Sequence, residues 1–331
     1  MRAPTRLLLA PGNRLFVSDS EEHSIFELAL SGDGLRGRLV RRYGTGEPGL
    51  TDGPAPIARF HDPRGMSYWR GTMYVADSGN HAIRAIDLQR GEVRTVAGTG
   101  EKGSGRIVAG GQALFTPMRS PRAVWADGDA LLIALAGSHQ IGILMDESVV
   151  GPFAGNGQRE VVDGPRGLAS FIQPYDLSSG LDYLFVADRQ SHTIRAVSLE
   201  GEPMVSTLAG QPEPGDLDGV SDGVRLHDPS GIVFHQGVIY ISDSSNNRIK
   251  RLDPSTGSCE SLIGNGHAGF VDGAFATSEF HAPEGLSIES GLLYIADVRN
   301  RAVRVANLKS ETVHTFQFED AHESEPAFDG S

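Results

Sequence analysis

Cysteine is almost absent from this 331-residue chain. The single Cys259 excludes an internal disulfide framework and any C-x-x-C redox pair, and it suits a reducing, cytoplasmic setting. Long apolar runs are lacking as well. The stretch from Leu7 to Ala10 is far too short for a signal-peptide core or a membrane span, so no membrane association is expected. Positive charge is scarce: 29 Lys and Arg face 42 Asp and Glu, a formal net charge of −13. A chain of that sign repels phosphate backbones, so no nucleic-acid partner is expected. No long helical period occurs either, which excludes sheets built through crossover helices.

What the chain does contain is one segment six times over. Leu15–Asp19, Met73–Asp77, Leu131–Leu135, Leu184–Asp188, Ile239–Asp243 and Leu293–Asp297 are each followed by a polar turn and a second apolar strand. The closing positions 19, 77, 135, 188, 243 and 297 are 58, 58, 53, 55 and 54 residues apart. So regular a period marks a repeat architecture. Within each unit, short runs rich in Val, Ile, Tyr and Phe are bounded by Gly, Pro, Asp and Asn, the pattern of strands. Unit two predicts four, near 64–69, 73–77, 82–87 and 92–97. Unit six predicts four more, near 284–289, 292–296, 302–307 and 312–317. Six such units predict an all-β, six-bladed propeller of four-stranded antiparallel blades spanning 1–318. Blades one and six are expected to meet by packing alone. The acidic, polar segment 319–331 reads as a disordered tail.

The motif Tyr74-Val75-Ala76-Asp77-Ser78-Gly79-Asn80-His81-Ala82-Ile83-Arg84 returns as VADRQSHTIR at 186–195 and ISDSSNNRIK at 241–250. It resembles the NHL repeat, and the resemblance covers roughly residues 4–317. Five of the six junctions are long and share Gly-Asn/Thr-Gly, then Asp-Gly, then Phe-x-x-Pro, as at 44–63 and 264–283. That pattern is similar to the NHL module fused to thioredoxin-like domains in other proteins, although this sequence contains no thioredoxin domain. NHL propellers host unrelated activities, so the resemblance implies a fold more than a function.

Antiparallel strands place the turn after each repeat Asp on the same face as the long junctions. The Asp/Arg spacing in Asp77/Arg84, Asp188/Arg195, Asp243/Lys250 and Asp297/Arg304 suggests structural pairs across neighbouring strands. Unit three fits this, losing both members together as Leu135 and Gly142, whereas unit one pairs Asp19 with Phe26. His23, His81, His139 and His192 recur at one turn position and His61, His227 and His281 at another. Equivalent positions on separate blades are held apart, and a zinc ion needs ligands within about 2.1 Å. The amidating lyase, an NHL-like propeller, holds zinc with histidines near its axis. Here the residues after the blade-opening prolines are Thr5, Arg64, Arg122, Tyr175, Ser230 and Glu284, so neither metal nor cofactor is expected. Asp216, Asp218 and Asp222 are dense but lack the spacing of a calcium loop.

Arg64, Arg122, Tyr175 and Glu284 are large polar residues where innermost strands begin, and they are candidates to bind a polar or anionic ligand at the channel mouth. Unit three has lost its Asp, and the junction before it, 98–121, is the longest and has lost Asp-Gly. Arg106, Arg119 and Arg122 are candidates for one wall of a site there. Two readings follow. The first is a monomeric binding module for a protein partner or a small polar ligand on the long-loop face. The alternative is a hydrolase or lyase acting on a small polar substrate at the channel mouth. Converging ionisable groups in a deep closed pocket would mark an enzyme, and a broad shallow face would mark a binding module.

Overall fold

The computed structural model describes residues 1–201 and 203–319. Six antiparallel sheets stand around one axis, each beginning at the axis with a seven-residue strand: Pro4–Ala10, Pro63–Trp69, Pro121–Asp127, Pro174–Gly180, Pro229–His235 and Pro283–Glu289. In blade two the chain then runs outward through Thr72–Asp77, Ala82–Asp87 and Glu92–Ala97. Each proline starts its strand, where a missing N–H removes no ladder bond. No α-helix occurs among the described residues; a single 3-10 turn follows the second strand of each of blades two to six, after the repeat Asp or, in blade three, Leu135.

Each blade has five strands rather than four, and the extra one comes from the junctions. In blades two to six the preceding junction contributes a two-residue strand, such as Gly53–Pro54 or Gly164–Pro165, to the outer edge of the blade it enters. The edge strand is thereby covered, which removes an exposed row of backbone groups.

Blade one takes its fifth strand from the other end of the ring, and here the expectation of closure by packing alone is corrected. Gln317–Glu319 runs parallel to the outer strand Arg36–Tyr43, with Gln317 opposite Arg36 and Glu319 opposite Arg38. The end of blade six therefore supplies the fifth strand of blade one. Glu319, expected in the tail, lies in this strand, and the rest of that predicted tail falls outside the described residues.

Six apolar clusters fill the six interfaces between blades. Phe16, Ile25 and Tyr43 of blade one pack with Met66, Met73 and Val75 of blade two. The closing interface sets Leu7, Leu15 and Val17 against Tyr294, Val303 and Phe316. Burial is thus distributed in layers, which is how a chain of this length avoids needing one large core. Cys259 is buried in the layer between blades four and five, where burial pushes its thiol up to about 12, leaving it an inert core residue.

Candidate functional site

The repeat residues that gather on the long-loop face prove to be the fasteners of that face. Arg84 has no exposed side-chain surface; it donates to Asp77 Oδ2 at 2.9 Å and Asp52 Oδ1 at 2.7 Å, and to the carbonyls of Thr51 and Arg59. One guanidinium so ties the repeat Asp to the preceding junction. Asp52, the junction's Asp-Gly residue, also accepts from Thr95 N of the outer strand at 3.0 Å. Arg304 with Asp272 repeats the staple, and Arg195 repeats its junction half, reaching Asp163 at 2.7 Å while standing 3.8 Å from Asp188. Lys250 reaches Asp216 and Asp218 at 2.8 Å but stands 3.9 Å from Asp243. Burial raises all these repeat carboxyls, Asp77 to about 6 and Asp243 to about 7, and the more distant cation at Asp243 opposes burial less.

Unit three replaces the staple without charge. Leu135 packs over Gly142, where a Cβ would come within 2.9 Å of Leu135 Cδ1. Gln140 bonds both the N–H and the carbonyl of Ile107, whose side chain is buried in the junction. Packing compensation therefore accounts for the strands of this unit. In unit one Asp19 accepts from the backbone of Arg2, Ala3, Glu21 and Glu22.

The repeat histidines latch one blade to the next. His23, His81 and His192 occupy left-handed turn positions, and each Nδ1 accepts the N–H of Asp62, Ser120 or Asp228, the residue before the next blade-opening Pro, at 3.0–3.2 Å. Asn247 makes the same latch through Oδ1 to Ala282 N at 3.0 Å. Burial first, then neighbouring positive charge, lowers His81; burial also lowers His23 and His192, keeping the rings neutral as acceptors need to be. Among the described residues no three His, Cys, Asp or Glu side chains converge as metal ligands would.

At the axis, four of the five candidate residues come together. Arg64 reaches Glu284 Oε2 at 3.4 Å and Asp62 Oδ1 at 2.6 Å, while Arg122 reaches Asp62 Oδ2 at 3.2 Å and lies over the Tyr175 ring at 5.6 Å. Two arginines that sequence reasoning missed complete the cluster. Arg6 and Arg189 also stack on Tyr175, at 5.0 and 4.7 Å, and both approach Glu284. Burial lowers Arg64 and Arg189, but Tyr175 and the surrounding carboxylates outweigh it and hold both above the ordinary arginine value. Four arginines face Asp62, Asp176, Asp228 and Glu284, so the charges cancel within the cluster. Arg64 and Arg122 are therefore not free clamps for an anion.

Arg119, the fifth candidate, stands apart. Its stem lies over Gly137, and among the described residues its guanidinium has neither an ion pair nor a hydrogen bond. Lys102 is equally free, and both lie near His81, whose proton affinity they depress. The junction 98–121 sets Lys102, Arg106 and Arg119 against Glu101, a net of +2, whereas 210–229 carries −4. That same junction exposes Phe115 by 76% and Val108 by 72%, the two most exposed large apolar side chains described.

The fold and its face define a six-bladed propeller whose junctions are stapled by a repeated Asp–Arg pair. No family model matches the sequence. NHL repeat-containing protein 2 of Bos taurus is 35% identical over 95% of this chain, and the chloroplastic protein SUPPRESSOR OF QUENCHING 1 of Arabidopsis thaliana is 36% identical over 89% of it. The chain is an NHL-repeat propeller. It spans 48% of the bovine relative's length and 29% of the plant one's. Solved structures share the fold alone: the nidogen/laminin complex at 15% identity and TM-score 0.60, covering 92% of both chains, and a virginiamycin B lyase of Staphylococcus aureus with quinupristin at 11% and 0.57, covering 95% of this chain and 84% of that one.

Proposed function

We propose that this propeller is a binding module whose long-loop face, at the junction 98–121, takes an acidic polypeptide segment carrying apolar side chains. The observation that supports this most is the coincidence of free cations and exposed apolar groups on one junction. Lys102 and Arg119 lack partners among the described residues, and Phe115 and Val108 of the same junction stand in solvent. Carboxylates of the partner would meet the cations, and its apolar side chains would cover Phe115 and Val108. The alternative, a hydrolase or lyase at the channel mouth, has less support: the ionisable groups there neutralise one another, and the recess beside Arg189, Asp228 and Glu284, about 340 Å³, is half open.

The test is the affinity of a fluorescein-labelled peptide of alternating glutamate and leucine, measured by anisotropy. Wild-type protein should bind it with an affinity that falls as salt rises. Pairing Lys102→Glu with Arg119→Glu should weaken it at least tenfold while leaving Tm unchanged, and Phe115→Ser should weaken it separately. Equal affinity in the charge-reversed variant rejects the reading.

A further inference from the structure

Opposite the long-loop face, the axis opens into a cavity of about 300 Å³. Its walls are the later halves of the innermost strands and include Leu8, Met66, Val124, Leu177, Ile232 and Leu286. The axial edges of these strands are partly sealed by serines: Ser67, Ser178 and Ser287 accept the N–H of Ala126, Phe234 and Leu9 from the neighbouring blade at 2.9–3.0 Å. The walls therefore offer the apolar side chains of these residues, interrupted by the serines and, toward the strand ends, by His235 and Glu289.

Its floor is charged, for a reason visible in the strand starts. The second residue after the opening Pro is Gly65, Ala123, Gly231 and Gly285 in four blades. Neighbouring strands crowd that position: a Cβ on Gly285 would lie 2.6 Å from Arg6 Cα, and one on Gly231 would overlap the Glu284 carbonyl. Blades one and four carry Arg6 and Asp176 there instead, and both line the cavity. Arg6 has 4% of its side chain exposed and Asp176 11%. The Arg6 terminal nitrogens donate to the carbonyls of Ser230, at 2.7 Å, and Thr5, at 3.0 Å. Its Nε is buried with no hydrogen-bond acceptor. Asp176 Oδ1, the nearest carboxylate oxygen, is 3.7 Å away, beyond hydrogen-bond reach.

We propose that this cavity binds a small uncharged amphiphile whose hydroxyl or amide head accepts from Arg6 Nε and donates to Asp176 Oδ1, with its apolar body along the strand walls. A buried donor left unmet is costly, and one group that both donates and accepts satisfies the two ends together. A charged head would leave excess charge on a floor where Arg6 and Asp176 already balance, and burying unpaired charge is costlier still. Burial raises Asp176 against the opposing pull of Arg6, in keeping with a dry floor.

The probes are 1-butanol, 1-pentanol and 1-hexanol, with hexanoate and hexylammonium as charged analogues, titrated into wild-type protein while the arginine Nε–H resonances are followed by NMR. One buried Nε–H should shift saturably, with affinity rising about fourfold per added methylene, and both charged analogues should bind at least tenfold more weakly. Leu8→Trp and Val233→Trp, on different blades, should each fill the cavity and abolish the response. No saturation in wild type, leaving the floor to water alone, overturns the proposal, as does an analogue of either charge binding as well as 1-hexanol. Unchanged binding in a folded blocking variant overturns it too. Should neither variant fold, the wild-type titration decides.

Discussion

Arg6 and Asp176, from blades on opposite sides of the ring, meet across the propeller axis with Nε 3.7 Å from Oδ1. Each replaces a small residue found at the same place in the other four blades. Both residues line the cavity that opens opposite the long-loop face.

Arg6→Ala leaves Asp176 and Glu284 buried without their shared cation. Removing one partner of a buried pair costs about 3–5 kcal/mol, and urea unfolding should show a loss of that order. A loss below about 1 kcal/mol, the range of exposed ion pairs, would mean that the axis is wetter than the described burial indicates.

Arg84→Leu should cost about as much, since it strands Asp77 and frees the 51–59 junction from its anchor. Gly142→Arg, which restores the repeat cation to unit three without its carboxylate, should destabilise rather than rescue, because Leu135 fills that space. Calorimetric Tm values of the two variants check both signs.

Lys250→Arg should bring a guanidinium closer to Asp243 than the present 3.9 Å, as Arg84 sits at 2.9 Å from Asp77. The Asp243 carboxyl should then move from about 7 towards the value of about 6 at Asp77. Carbon-13 carboxyl titration reads the change. Because a raised carboxyl stabilises most below its unfolded value and loses that contribution as pH rises through the folded one, the variant should gain stability chiefly at pH 7 and above.

The histidine latches carry the opposite pH dependence. His192 is lowered by burial, so its contribution is full above the unfolded value of 6.5 and is lost as pH falls from there through the folded one. His192→Asn, using the residue that blade five employs as Asn247, should be relatively more stable than wild type at pH 5.5 than at pH 7.5. Urea midpoints at the two pH values test it, and an unchanged difference would show that the ring does not titrate in this window.

Blade number and strand order were legible because hydrophobic alternation repeats with the Asp as a marker in all units but one. The staples were half legible: Asp77 and Arg84 are close in sequence, but Asp52 lies 32 residues from Arg84 and reaches it only once the junction folds back. Arg6 is hidden in the sequence because it is the second residue after the opening Pro, not the first. A register shift just after that Pro brings the second residue to the axis. The signal was present as two charged residues in a column otherwise Gly or Ala. Arg189 had a similar signal, a cation where the turns of units two and five begin with Ser78 and Ser244. The closing strand Gln317–Glu319 left no trace, since three exposed residues carry no periodicity.

The most direct test of the binding account is an amide NMR map of where the glutamate–leucine peptide touches the protein. The account predicts shifts concentrated in 98–121 and around His81 and Arg122, with 210–229 and the opposite face unaffected. Shifts centred on 210–229, on the opposite face, or on no contiguous surface would contradict it.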